Sequence, residues 1–270
     1  MSVPRVLVTG ATGFLGPFAC RELRDRAEVT ATGRSGGDRR VDLQDDDARD
    51  RLLAAAAPDR VLHLAALSRM AECAADPALA RAINADVPAA LAQRFGPAFV
   101  YVSTDLVFDG RRPPYAPLDP PAPLSVYGLS KAEGEDRVLA AGGRVVRVPL
   151  LFGPDDRGRG ASAMVRSALA AGRPLSLFTN EYRTPLHARD AARALVDLVL
   201  AEPRAGAGLR HVTGPERVSR WEFAQRLCAA HGLPGGRLHA AECQDALRPR
   251  DVSLLGEVPG RSLAEMLADC

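Results

Sequence analysis

The chain begins with Arg5-Val6-Leu7-Val8-Thr9-Gly10-Ala11-Thr12-Gly13-Phe14-Leu15-Gly16. An apolar, strand-like run stops at Gly10, and an amphipathic stretch opens near Phe14. Gly10 permits a tight turn out of the strand, Gly13 lets the backbone approach a pyrophosphate, and Gly16 lets the new helix pack on the sheet. The helix then directs free N–H groups and its positive dipole end at the phosphates. Glycine triplets also occur in ordinary turns. Placed between a strand and a helix, this one implies a dinucleotide cofactor, and with it redox chemistry. Gly10, Thr12, Gly13, Phe14, Leu15 and Gly16 are the expected cradle.

Strand-like and helical patterns alternate downstream. Arg5–Thr9 reads as a strand, Phe14–Arg26 as a helix, Glu28–Thr32 as a second strand and Arg39–Leu43 as a short third. Asp45, Asp46 and Asp47 open a helix that runs to Ala57, where carboxylates complement the helix dipole. Arg60–Leu64 is the fourth strand, Pro77–Arg94 is largely helical, Phe99–Val107 is the fifth strand and Arg144–Val148 the sixth. This alternation predicts an α/β fold of Rossmann type, a doubly wound parallel sheet with helices on both faces. Prolines 113, 114, 117, 120, 121 and 123 exclude helix or central strand from Gly110–Ser125, which with Tyr115 reads as an ordered loop near the site. Ser219-Arg220-Trp221-Glu222 forms a capping box for a helix that ends near His231. Residues 1–153 read as the nucleotide-binding domain, part of whose sheet and helices continues further. Residues 154–270 read mainly as a small substrate-binding lobe, with Trp221 in its core.

Composition narrows the class. With 270 residues, 47% hydrophobic and 25% charged content and a net charge of +2, the chain reads as an ordinary soluble globule with no nucleic-acid or membrane partner. Met1-Ser2-Val3-Pro4 runs straight into the first strand, so no leader is expected. Cys20, Cys73, Cys228, Cys243 and Cys270 are odd in number and scattered, which points to reduced thiols and a cytoplasmic setting. His239 and Cys243 lie four apart, but two ligands do not make a metal site, and none is expected.

Two further motifs carry chemistry. In Tyr127-Gly128-Leu129-Ser130-Lys131 the tyrosine and lysine are four apart, so a helix presents both on one face. A lysine beside a phenol favours phenolate and is expected to lower the tyrosine pKa, which suits proton transfer to or from an alcohol. Tyr101-Val102-Ser103-Thr104-Asp105-Leu106-Val107-Phe108-Asp109-Gly110 lies at the carboxyl end of a strand, where open α/β sheets place ligands. There the Thr104 hydroxyl can bond a carbonyl oxygen as charge develops on it. Ser103 is expected on the cofactor side. Asp105, Val107 and Phe108, with Thr104, are expected on the substrate side.

Together these residues resemble the extended short-chain dehydrogenase/reductase family, and within it the dTDP-4-dehydrorhamnose reductases and related sugar-nucleotide 4-ketoreductases. The likeness also covers His63-Leu64-Ala65-Ala66, Asn84, Arg147-Val148-Pro149-Leu150-Leu151-Phe152-Gly153, Arg183-Thr184-Pro185, Asp190-Ala191-Ala192, Trp221-Glu222-Phe223-Ala224 and Arg248-Pro249-Arg250-Asp251. It implies a catalytic triad of Thr104, Tyr127 and Lys131. It also implies cofactor contacts from Leu64, Ala65, Ala66 and Asn84, and from Asp42 and Leu43 beside the adenine. The implied reaction is hydride transfer from NAD(P)H to a keto sugar on a nucleoside diphosphate. Sugar-nucleotide dehydratases typically carry Asp-Glu after the threonine. Here Leu106 follows Asp105, which speaks against dehydration. Thr179-Asn180-Glu181-Tyr182 departs from the Asp-Gln pair of many members and leaves the sugar open.

Arg34 and Ser35 stand at the end of the second strand, where an acid would select NAD. A guanidinium there can pair with a 2′-phosphate, so NADPH is favoured over NAD, although Arg34 stacked on the adenine would select nothing. Arg248 is the candidate grip for a diphosphate, with a solvated arginine as its alternative. Competing readings are a nucleotide-sugar epimerase and a non-catalytic NADP-binding subunit similar to that of methionine adenosyltransferase. A homodimer is compatible with each, and the sequence does not set the oligomeric state.

Overall fold

A computed structural model describes residues 3–202 and 208–270; Met1 and Ser2 of the N-terminal run lie outside them. The first half of the chain alternates as its pattern implies. It comprises β1 (Arg5–Thr9), α1 (Gly16–Leu23), β2 (Glu28–Gly33), β3 (Arg39–Arg40), α2 (Asp46–Ala56), β4 (Arg60–His63), α3 (Met70–Ala75), α4 (Pro77–Arg81), α5 (Val87–Phe95), β5 (Phe99–Thr104), α6 (Val126–Ala140) and β6 (Arg144–Val148). The second half contributes β7 (Leu151–Phe152), α7 (Gly160–Ala170), β8 (Leu175–Phe178), β9 (Tyr182–Arg183), β10 (Leu186–His187), α8 (Ala188–Leu200), β11 (Leu209–His211), β12 (Val218–Ser219), α9 (Arg220–His231), β13 (Leu238–Ala241) and α10 (Leu263–Ala268).

Seven parallel strands form the main sheet in the order β11-β6-β5-β4-β1-β2-β3. Helices α1 and α8 cover one face, and α5 and α6 cover the other. This is the doubly wound fold expected from the alternation. Strand order reverses between β1 and β4, so their carboxyl ends part and leave a crevice for a ligand. Both α8 and β11 come from beyond residue 153 yet complete this layered unit. Beside it, β8 pairs in parallel with β13 and β9 antiparallel with β12, against α9 and α10. Ser219 and Glu222 form the expected capping box of α9, and Gly232 ends that helix at φ 60°. Trp221 is partly buried against the larger core cluster.

Several boundaries differ from the sequence reading, each for a local reason. The first helix starts at Gly16 because the turn from Gly10 extends through Leu15. The third strand shortens to two exposed residues, since the Asp42 carboxylate accepts from Gln44 N–H at 3.1 Å and turns the chain away. The fifth strand ends at Thr104, whose hydroxyl accepts from Leu106 N–H at 3.2 Å and starts one tight helical turn over Asp105–Val107. The single helix expected over Pro77–Arg94 is α4, a π-helical stretch over Ala82–Asp86, and α5. Pro88 has no N–H to give to the carbonyl of Asn84, and the wider turn accommodates its ring. The Tyr101 hydroxyl donates to that Asn84 carbonyl instead.

One ion pair ties the layers together. Arg147 on β6 and Glu135 on α6 are both about 1% exposed. The Arg147 Nε lies 3.0 Å from each Glu135 oxygen, and its Nη2 donates to Oε2 at 2.6 Å. Its remaining nitrogen donates to the Pro117 carbonyl at 3.1 Å and lies 3.3 Å from His211 Nε2 on β11. The pair therefore joins β6, α6, the proline-rich loop and the edge strand. Removing one partner of such a pair strands a buried charge, so Glu135→Ala is expected to lower the unfolding free energy by about 3–5 kcal/mol. Urea unfolding of both proteins measures it, and a loss below about 1 kcal/mol, the range of an exposed pair, would contradict the assignment.

Candidate active site

The crevice at the switch point is a cleft of about 380 Å³. Gly10, Thr12, Gly13, Phe14, Leu15, Arg34, Ser35, Asp42, Leu43, Leu64, Ala65, Ala66, Ser103, Tyr127 and Lys131 all line it. Gly10 has φ +68°, and a Cβ there would lie 2.5 Å from Ala65 N, so the ends of β1 and β4 meet only over a bare backbone. The Gly13 N–H closes the turn onto the Gly10 carbonyl at 2.8 Å. Gly16 lies beneath the cleft and does not line it. A Cβ there would meet the Ala11 carbonyl at 2.2 Å, so Gly16 serves the close packing of α1.

Asn84 does not reach the cleft. It is fully buried, its amide donates to the Leu67 carbonyl at 2.9 Å and to Ser130 Oγ at 3.0 Å, and its oxygen accepts from Leu67 N–H at 2.9 Å. It fixes α6 and the segment that carries Ser68, and Ser68 does line the cleft. Sequence spacing also missed the apolar wall of Ile83, Val102, Val148 and Leu151.

A second pocket of about 450 Å³ adjoins the first, and Ser68, Ser103, Tyr127, Val148 and Leu151 line both. Thr104, Asp105 and Arg248 line this second pocket. Val107 and Phe108 do not. Both are fully buried with Tyr115, Val252 and Leu254, and Phe108 stacks on Tyr115 with centroids 4.1 Å apart. The tight turn after Thr104 carries them inward. The proline-rich loop therefore buttresses the 252–254 segment, and Tyr115 lines neither the cleft nor the adjoining pocket.

Helix α6 presents Tyr127 and Lys131 one turn apart, with Ser125 capping it by accepting from Gly128 N–H at 3.1 Å. Lys131, the only lysine in the chain, is 1% exposed. Its Nζ donates to the Val102 carbonyl at 2.7 Å and sits 3.8 Å from the Tyr101 ring centroid. Burial lowers its pKa to about 7, against the opposing pull of Glu135. Tyr127 does not behave as expected beside a cation. Desolvation raises its pKa well above the ordinary phenol value, which outweighs the opposing effect of the nearby Thr104 hydroxyl. The tyrosine is thus held as a phenol. Thr104 Oγ1 donates to Asp105 Oδ1 at 3.1 Å. Burial raises the Asp105 carboxyl to about 6, against the pull of Arg183.

The second pocket is charged in a way the sequence did not disclose. Arg183, Arg220 and Arg248 line it with Asp105 and Glu181. Glu181, 3% exposed, lies 3.3 Å from Arg183 and accepts from Arg248 at 2.8 Å; Arg183 lies 3.4 Å from Asp105. Arg220 has no ion-pair partner among the described residues, and burial lowers its pKa to about 10. Three cations against two carboxylates leave an anion-attracting excess. Glu181 stood out in the sequence as a departure, but Arg220 was lost among many arginines. Ser103 Oγ, where the two pockets meet, is buried with no hydrogen-bond partner among the described residues. Among the described residues no helix is long and apolar enough to cross a membrane.

The model of the RmlD substrate binding domain matches residues 4–257. The beta subunit of methionine adenosyltransferase 2 from Danio rerio is 32% identical over 247 residues, covering 87% of this chain and 76% of that protein. A probable low-salt glycan biosynthesis reductase, Agl14 of Haloferax volcanii, is 30% identical over 259 residues, with 90% and 85% coverage. Among solved structures, the dTDP-4-dehydrorhamnose reductase of Bacillus anthracis, in complex with NADP, superposes with a TM-score of 0.87 over 98% of this chain and 97% of its own, at 23% identity. That likeness is one of fold. With nearly its whole length matched, the chain belongs to the RmlD substrate binding domain family.

Proposed function

We propose that this protein reduces the 4-keto group of a nucleotide-linked deoxysugar, with dTDP as the nucleotide and NADPH as the hydride source. One observation carries the reading: Tyr127, Lys131 and Thr104 stand intact where the two pockets join, with the phenol protonated. The cleft fits a nicotinamide dinucleotide. Gly10, Thr12, Gly13, Phe14 and Leu15 of the glycine turn line it, and the Ser103 hydroxyl has no hydrogen-bond partner among the described residues. When bound, such a cofactor supplies the hydride.

The protein's own residues then do the rest. Tyr127 holds the carbonyl oxygen, joined by Thr104 once its hydroxyl turns from Asp105, and Tyr127 gives its proton to that oxygen as the alcohol forms. Lys131 holds positive charge beside the phenolate left behind. In a chain that has arginine at every other Lys or Arg position, the one lysine stands where an amine can change protonation. The cationic excess of Arg220, Arg183 and Arg248 supports a phosphate-bearing substrate. Arg34 and Ser35, which follow the end of β2 where an acid would select NAD, support NADPH over NADH.

The relatedness to the methionine adenosyltransferase subunit favours a second reading, a nucleotide-binding regulatory subunit. The assay separates the two. Purified protein with NADPH and a dTDP-4-keto-6-deoxyhexose is expected to consume the cofactor, seen as falling absorbance of the reduced nicotinamide. No oxidation across a panel of nucleotide-linked keto sugars, with NADPH still bound, would favour the regulatory reading. Isomerisation without net redox change would mark an epimerase.

Three variants sharpen this. Tyr127→Phe is expected to cut turnover by about 10²–10⁴-fold, the usual loss for a general acid, with NADPH affinity nearly unchanged. Near-normal turnover would remove Tyr127 from the role. Arg34→Asp is expected to weaken NADPH more than NADH, and an unmoved affinity ratio would show that Arg34 does not select the cofactor. Lys131 allows a check without substrate. Its folded pKa of about 7 lies below the ordinary lysine value of 10.5, so between these values the unfolded chain binds more protons. Stability of the nucleotide-free protein should therefore rise with pH across that window, and Lys131→Met should flatten the rise. Thermal unfolding at several pH values tests it, and an equal slope in both proteins would contradict the buried-lysine assignment.

A further inference from the structure

The segment from Pro154 to Arg159, between β7 and α7, runs along the outer lip of the glycine turn. Arg159 Nη1 donates to the Thr12 carbonyl at 2.6 Å, and Arg157 Nη1 donates to the same oxygen at 3.3 Å. Asp155 sets the register of the segment. It accepts from the backbone N–H groups of Arg157 at 3.1 Å and Arg159 at 2.8 Å, and pairs with the Arg159 guanidinium at 2.6 Å. Where the segment enters α7, a Cβ on Gly160 would lie 2.7 Å from the Phe14 ring. The segment is therefore seated on two residues, Thr12 and Phe14, that line the cleft.

The charge balance of this contact is uneven. Asp155 neutralises Arg159, whereas Arg157 is exposed and has no acid partner among the described residues. Its contact on Thr12 is a neutral carbonyl already shared with Arg159. A carbonyl holds a cation weakly compared with a phosphate, which offers charge and several acceptor oxygens. The turn under Arg157 is also the one that lines the cleft proposed above to take the dinucleotide. On its other side Thr12 Oγ1 lies 3.2 Å from Ser35 Oγ, next to Arg34.

We infer that Arg157 is a ligand for the phosphates of the dinucleotide, brought over the glycine turn by a strap whose shape Asp155 and Arg159 maintain. The inference rests on the proposed dinucleotide reading and adds to it a cation that the glycine motif does not contain. It gives the loop after β7 a binding role, with Arg159 as the positioning residue and Arg157 as the contact.

The test uses the full chain and measures binding, not turnover. Dissociation constants for NADPH and for NADH are determined by calorimetry at low and high salt for the wild type, Arg157→Gln and Arg157→Lys. Arg157→Gln is expected to bind about tenfold more weakly at low salt, as for loss of a charge-assisted contact, and to show a shallower salt dependence. Arg157→Lys should recover part of the loss. The melting temperature without nucleotide should stay at the wild-type value, since the side chain is exposed. Weakening of both nucleotides places Arg157 on the pyrophosphate, and weakening of NADPH alone places it on the 2′-phosphate; either supports the inference. Unchanged affinity for both in Arg157→Gln overturns it while leaving the dinucleotide reading intact. Failure of the wild type to bind either nucleotide overturns both.

Discussion

Arg147 and Glu135 meet in the interior with three Nε/Nη2-to-carboxylate contacts between 2.6 and 3.0 Å, and much of the site's geometry follows from that meeting. Glu135 lies one helical turn after Lys131 on α6, so the pair sets the rotation of the helix that carries the tyrosine and lysine. Arg147 reaches the proline-rich loop through the Pro117 carbonyl and the edge strand through His211, and its guanidinium lies 4.8 Å from the Phe108 ring centroid. Burying two charges is costly unless each is fully satisfied. Here most donors of the guanidinium have acceptors, and the carboxylate in turn pulls the Lys131 pKa upward against burial.

The environment around Lys131 follows from packing as much as from charge. Pro88 leaves the Asn84 carbonyl unclaimed by its own helix, the Tyr101 hydroxyl takes that carbonyl, and the Tyr101 ring becomes the surface under the Lys131 ammonium. Gly134 is part of the same arrangement. A Cβ there would lie 2.2 Å from the Asn84 carbonyl, so α6 sits this close to the π-helical stretch only with glycine. His63, at the end of β4, is buried below, and desolvation together with the lysine charge lowers its pKa to about 3. This neutral imidazole, 5.8 Å from the Tyr101 ring centroid, adds no competing charge near the lysine.

The second pocket shows charge assembled from distant parts of the chain. Asp105 follows β5, Glu181 and Arg183 flank the start of β9, Arg220 opens α9, and Arg248 comes from the segment after β13. Glu181 ties down two of the arginines and leaves the third unpaired. That balance distinguishes a pocket able to attract a phosphate from one that is merely arginine-rich. Similarity both to a probable glycan biosynthesis reductase and to a methionine adenosyltransferase subunit leaves the chemistry to be read from such local detail.

By itself the sequence determined what depends on local geometry. The glycine turn, the tyrosine and lysine four apart, the capping box of α9 and the alternation of strands and helices are set by backbone dihedrals and helical period, which act over a few residues. The parallel sheet and the position of the cleft followed from them. Tertiary structure decided whatever depends on burial and on contacts across the chain. Asn84, Val107 and Phe108 look like site residues in a motif yet are enclosed in the core, because a π-helical stretch and one tight turn redirect them. Tyr127 carries a raised pKa in place of the lowered one that its spacing from Lys131 implied, because burial desolvates the phenol and outweighs the opposing effect of the Thr104 hydroxyl. Arg220, Arg183 and Glu181 became a charged pocket only when folding brought separate segments within a few ångströms. Spacing along a chain specifies which groups share a helix face; only the folded arrangement sets their dielectric surroundings and their partners.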